Sequence, residues 1–82
     1  MHISGDLQKG QTMMLSVPPV RFAEVTFEEG AIEAHFTGHG LDEEKTAQGT
    51  SRRASLSLNE PRIEYVTVVA LEKTSGIRIV VK

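Results

Sequence analysis

Glu33, His35, His39, Asp42 and Glu43 are the densest run of chemically versatile side chains in this sequence. Imidazole nitrogens and carboxylate oxygens are the donors a borderline divalent ion such as zinc prefers. On an extended strand Glu33 and His35 share a face. A turn at Gly38 and Gly40 would swing His39 back toward them, with Asp42 or Glu43 completing the set. A spacing of four suits two ligands on a helix better than two on a strand. The stretch therefore reads first as an exposed polar strand face, and no metal or other cofactor is expected.

Other catalytic patterns are weaker. A nucleophile needs a base that is itself oriented by a third group, and nothing in the spacing brings Ser55 or Ser57 to a histidine. Glu28-Glu29 and Glu43-Glu44 fall where solvent reaches both carboxylates, which gives neither pair a reason to split its proton affinities. Gly38-His39-Gly40 lacks the third glycine and the strand-to-helix setting of a dinucleotide loop. Arg52-Arg53-Ala54-Ser55-Leu56 resembles the substrate consensus of basophilic kinases. Ser55, however, begins an expected strand, where a kinase reaches it only after local opening. The sequence thus points to a protein that is not an enzyme and takes no small-molecule substrate.

Charge is distributed unevenly along the chain. Overall it is −2, too little positive charge for a general nucleic-acid binder. Residues 24–44 hold seven acidic side chains and no Lys or Arg, whereas residues 45–82 hold seven basic side chains against three acidic. Either the fold interleaves these charges, or an acidic patch docks on a basic patch of a neighbouring subunit. Arg52, Arg53, Arg62 and Arg78 would supply a basic C-terminal face. The absence of cysteine removes disulfides and thiolate zinc as sources of stability. The longest apolar run, Val66 to Leu71 with Thr67 inside it, is far too short to span a bilayer, and the first residues lack the pattern of a secretory leader. No membrane contact and a cytoplasmic location are the resulting expectations.

The elements that must position these residues are strands. Val, Ile and Thr make up 20 of 82 residues, and β-branched side chains fit a pleated surface better than a helix. Met13, Leu15 and Val17 alternate until Pro18-Pro19, which have no N–H to give a ladder and mark an edge or corner. Val20 and Phe22 lead into Ala23, Val25 and Phe27 with a switch of parity, as a bulge near Phe22 to Glu24 would produce. Ile32, Ala34 and Phe36 then alternate with Glu33, His35 and Thr37. Setting Phe27 across from Ile32 aligns every apolar member of a hairpin on one side. Asp42 either caps a short helix over residues 42–48 or opens an exposed loop. Ala54, Leu56 and Leu58 mark a half-buried strand ended by Pro61. From Ile63 to Leu71 both parities are apolar, with Ile63, Tyr65, Val69 and Leu71 on one face and Val66, Val68 and Ala70 on the other. Thr74-Ser75-Gly76 would turn that strand into a last one carrying Ile77, Ile79 and Val81.

This pattern predicts a single all-β domain over residues 1–82, a small six-stranded sandwich or partly open barrel. A chain of this length buries only about 63% of its open-chain surface, and a strand apolar on both faces needs two covers. The expected function is therefore protein contact: an assembly, adaptor, inhibitory or accessory role, a viral structural or regulatory protein among them, with self-association. The contact residues would be Val66, Val68 and Ala70, the free edge of a final Ile77, Ile79 and Val81 strand, and Arg52 and Arg53. The alternative is a barrel of the OB or SH3 kind that binds nucleic acid through the basic C-terminal face.

Overall fold

The computed structural model describes residues 2–82, with side chains placed from Ile3 onward. The chain forms eight strands: β1 (His2–Leu7), β2 (Thr12–Val20), β3 (Phe22–Thr26), β4 (Ala31–Gly38), β5 (Leu41–Gln48), β6 (Arg53–Ser57), β7 (Ile63–Ala70) and β8 (Thr74–Val81). They build two antiparallel four-stranded sheets, ordered β1-β8-β3-β6 and β2-β7-β4-β5. The outermost pairs of the chain, β1 with β8, β2 with β7, β3 with β6 and β4 with β5, are all antiparallel ladders. The polypeptide is thus one long hairpin with its tip at Gly38–Leu41, rolled so that alternate pairs fall in opposite sheets. That order defines an eight-stranded jelly roll, a sandwich and not a barrel.

The roll explains several departures from the sequence-based expectation. Eight strands are present where six were expected, and residues 42–48 are strand β5 with no helix. Leu41 and Ala47, the two apolar residues of that stretch, are its buried ends, while Asp42 to Thr46 between them are exposed. A helix there would have had no apolar stripe to bury. Residues 2–7 also form a strand, β1, whose register pairs His2 with Val80. Only Ile3 and Leu7 gave that segment an apolar signature.

The hairpin expected between Phe27 and Ile32 does not form. Ala23, Val25 and Phe27 do face the core, as do Ile32, Ala34 and Phe36, but β3 lies in one sheet and β4 in the other. Alternation identifies the buried face of a strand and not its ladder partner, so two strands facing each other across a core look like a hairpin in sequence. The same holds for the C-terminal pair: Thr74 to Gly76 belong to β8, and β7 and β8 sit in opposite sheets. The parity switch near Phe22 has a related cause. The chain leaves one sheet at Val20 and joins the other at Phe22, and the irregular ladder lies between Ser16 and Val20, at the proline pair. Pro18 and Pro19 accordingly occupy an edge strand.

Inward-facing side chains fill the space between the sheets. Ala23, Val25, Ile32, Ala34, Phe36, Ile63, Val66, Val68, Ile77 and Ile79 are all fully buried. Two backbone approaches fix how the roll closes. Gly38 lies against the Arg62 carbonyl, leaving no room for a Cβ. Gly30, at φ 127°, lies under Thr74 where the chain crosses between sheets. Thr74 is the one buried polar side chain among the described residues. Its Oγ1 accepts from the Ala31 N–H (3.2 Å) and donates to the Glu72 carbonyl (2.8 Å). The surface of 4873 Å² matches the roughly 4,900 Å² that area scaling assigns to a compact monomer of this mass, so the core is closed without help from a second chain.

Candidate functional site: the outer faces of the two sheets

Among the described residues the ionisable side chains stand outside the packed interior, on the outer faces, edges and turns of the two sheets. On the β2-β7-β4-β5 sheet the registers align three cross-sheet rows: Thr12, Val69, Glu33 and Thr46; Met14, Thr67, His35 and Glu44; Ser16, Tyr65, Thr37 and Asp42. The β2–β7 half of this face mixes Met14, Tyr65 and Val69 with Thr12, Ser16 and Thr67, and the β4–β5 half carries the acids. Met14 is 59% exposed and Tyr65 42%, and Leu71, continuing the outward parity of β7, is 38% exposed. These three are the exposed large apolar side chains of the described residues, and all belong to this face. Glu33, Asp42 and Glu44 make up the acidic half, and no row contains a Lys or Arg.

His35 is the hub of the acidic half. Its Nε2 lies 2.7 Å from Glu33 Oε1, a hydrogen bond along β4, and its Nδ1 lies 3.7 Å from Glu44 Oε2 on β5. Each of the three residues offers one ligand atom within 4.8 Å of the others. Glu33 and His35 thus come together as their shared parity predicts. His39 does not join them: it sits in the β4–β5 turn, and its backbone N–H donates to Glu64 Oε1 (3.2 Å). Asp42 is opposite Thr37 and Glu43 opposite Phe36, neither beside His35. Glu44, the actual neighbour, was hidden by the helix reading of its segment; treating residues 41–48 as a strand folded back on β4 would have found it. Donor types suit a borderline divalent ion, with Glu33 able to orient the imidazole ring of His35 as carboxylates do behind metal-bound histidines. In the chain as it stands, the same contacts hold His35 in place.

The other sheet presents Ser4, Arg78, Thr26 and Arg53 in one row, and Val80, Glu24 and Ser55 in the next. Lys82 lies with its Nζ 5.7 Å from the centre of the Phe22 ring. Arg53 Nε is 3.3 Å from Glu24 Oε2, while Arg78 and Arg52 are exposed. Ser55 points outward and is half-buried. This face is more basic than its counterpart but has little aromatic surface. Phe27 and Phe36 are in the core, and Phe22 is half-buried under Lys82. A shallow groove of about 430 Å³ beside it is lined by Ser4, Asp6, Glu28 and Arg78, with Asp6 Oδ1 accepting from the Gly76 N–H (2.9 Å).

Three expected contact positions change their meaning. Val66, Val68 and Ala70 are covered from within by the facing sheet, so the second face of β7, the one left uncovered, is that of Tyr65, Val69 and Leu71. Ile77, Ile79 and Val81 are likewise inside, and β8 has no free edge because β1 and β3 flank it. Of the expected contact residues, Arg52 and Arg53 remain on the surface.

Compared with protein-family models, curated proteins and solved structures, the chain matches none. No helix is long and apolar enough to cross a membrane.

Proposed function

We propose that this protein is a non-enzymatic contact module that self-associates and serves an assembly or accessory role. One observation carries the reading: Met14, Tyr65 and Leu71, the exposed large apolar side chains of the described residues, all belong to one sheet face and none to the other. Single apolar residues are ordinary on a surface, but their bias to one face favours that face as the contact surface. Jelly rolls serve as capsid and lectin domains and as cupins, so the fold by itself does not choose among assembly, ligand binding and catalysis. What favours assembly is the filled interior. The space where a ligand or catalytic metal would sit between the sheets is occupied by Phe36, Ile32, Ile63 and their neighbours.

Light scattering on the purified protein over a hundredfold range of concentration tests this. The molecular mass should rise above that of one chain, and Tyr65→Ser together with Met14→Ser should shift the rise to concentrations at least tenfold higher with an unchanged circular dichroism spectrum. A single-chain mass throughout, in the native protein as in the variant, would sink the reading.

A further inference from the structure

We infer that His35 Nδ1 and the Glu44 carboxylate hold a divalent ion of the zinc class, which ties strand β5 to strand β4 on the outer face of their sheet. The site does not depend on the self-association proposed above. Three observations lead to it.

The count of protons comes first. A neutral imidazole has one N–H donor and one bare nitrogen. Both nitrogens of His35 face carboxylates: Nε2 lies 2.7 Å from Glu33 Oε1 and Nδ1 lies 3.7 Å from Glu44 Oε2. The shorter contact takes the hydrogen, so Nε2–H donates to Glu33 and the lone pair of Nδ1 is left against a second acceptor. Two acceptors so placed repel unless a positive charge stands between them, and a second proton on the ring or a metal ion supplies it. Two ligand atoms bound to one zinc ion at ~2.0–2.2 Å lie roughly 3.3–4.2 Å apart, from the tetrahedral angle to wider ones. The separation of 3.7 Å falls inside that span.

Surroundings come second. Glu33 and His35 are half-buried and Glu44 is exposed, so the ring is held by its neighbours and the Glu44 arm is free to close on an ion. The three outward rows of this sheet contain no Lys or Arg, and no cation of these rows offsets the two carboxylates. A Glu33 oxygen lies within 4.8 Å of the other donors. It adds negative charge beside the ion, while its hydrogen bond fixes the tautomer that leaves Nδ1 bare. A nitrogen donor beside carboxylate oxygen selects zinc and its neighbours over calcium and magnesium, which take oxygen sets.

Position comes third. Strand β5 is an edge strand with β4 as its one ladder partner, and His35 and Glu44 are directly opposite in that ladder. An ion between them adds a cross-strand link where the sheet has least support. The expectation of no metal rested on the spacing of His35 and His39; the register puts Glu44 in the place His39 was to take.

Addition of zinc chloride to the purified protein tests this. Calorimetry should show one saturable zinc ion per chain at submillimolar concentration. Zinc at about ten times its dissociation constant should raise the thermal midpoint by about 5–10 °C. Nitrogen NMR of the His35 ring should find the hydrogen on Nε2 in the metal-free protein, and the Nδ1 resonance should move when zinc is added. His35→Ala should abolish binding and Glu44→Gln weaken it by more than tenfold. Glu33→Gln, which alters only the group behind the ring, should weaken it about tenfold. His2→Ala and His39→Ala should bind as the native protein does, and circular dichroism checks that every variant folds. Unchanged affinity in His35→Ala, or its loss in His2→Ala or His39→Ala, would overturn the site. Calcium binding as tight as zinc would show that the carboxylates act without the imidazole. No saturable binding at all would leave a proton as the charge between Nδ1 and Glu44, and the inference would fall.

Discussion

Thr74 shows how much one side chain can settle in a protein this small. It is fully buried at the crossing between sheets, and its hydroxyl links the start of β4 to the start of β8 through the Ala31 N–H and the Glu72 carbonyl. Thr74→Val keeps the shape but strands a buried donor, which costs about 1–3 kcal/mol. The urea midpoint should fall by about 1 M, whereas Thr74→Ser should recover most of it. Equal midpoints for the native protein and Thr74→Val would show that Ala31 finds another partner. In sequence Thr74 read as a turn residue, since a lone threonine beside Ser75-Gly76 carries no sign of burial. The candidate site was legible to a similar degree. Period-two spacing placed Glu33 and His35 on one face correctly, but Glu44 could be found only by knowing that its strand folds back in register, His35 opposite Glu44. Chemistry spread over two strands depends on pairing, and pairing is what a single sequence states least directly.

At the scale of elements, the buried faces of β2, β3, β4, β6 and β8 were readable from alternation because each has a solvent side. Their partners were not, because every connection except the β4–β5 turn carries the chain from one sheet to the other or past a neighbour. Strand β5 was missed for a reason that also has a use. Glu43 and Lys45 share the inward parity of the buried Leu41 and Ala47, yet they are exposed at the sheet edge. Charges on the inner side of an edge strand keep a second copy from pairing with it. Replacing both, Glu43→Val with Lys45→Val, completes an apolar alternation from Leu41 to Ala47. The double variant is expected to fold and then form large aggregates at concentrations where the native protein stays clear, measured as turbidity over hours. Solubility equal to the native protein's would mean the two charges do not guard this edge. Loss of residues 77–82 would act differently from the loss of a contact strand, because β8 is central and its removal leaves β1 and β3 without their shared partner.

The whole molecule is a hairpin rolled on itself, and this sets how fast it can fold. The β4–β5 ladder closes across the Gly38–Leu41 turn, but β1 finds β8 only after the full chain length is brought round. Non-local pairing must absorb loop-closure entropy before contacts repay it, so folding in the range of milliseconds to seconds is expected. The same topology supplies a way to test the claim without touching the core. His2 pairs with Val80, so the chain ends lie on adjacent strands, and a short flexible linker can join them. Opening the chain instead at the exposed Gly49–Ser51 loop between β5 and β6 makes β1 and β8 neighbours in sequence while leaving β4 and β5 adjacent. The average separation of paired strands along the chain drops by about a quarter, and folding rates rise as contacts become more local. Stopped-flow refolding of this permutant should be several-fold faster than that of the native order, with unfolding changed less. A permutant that refolds more slowly, at matched stability, would show that an early β3–β6 contact, which the permutation makes more distant, limits folding in place of the closure of β1 on β8.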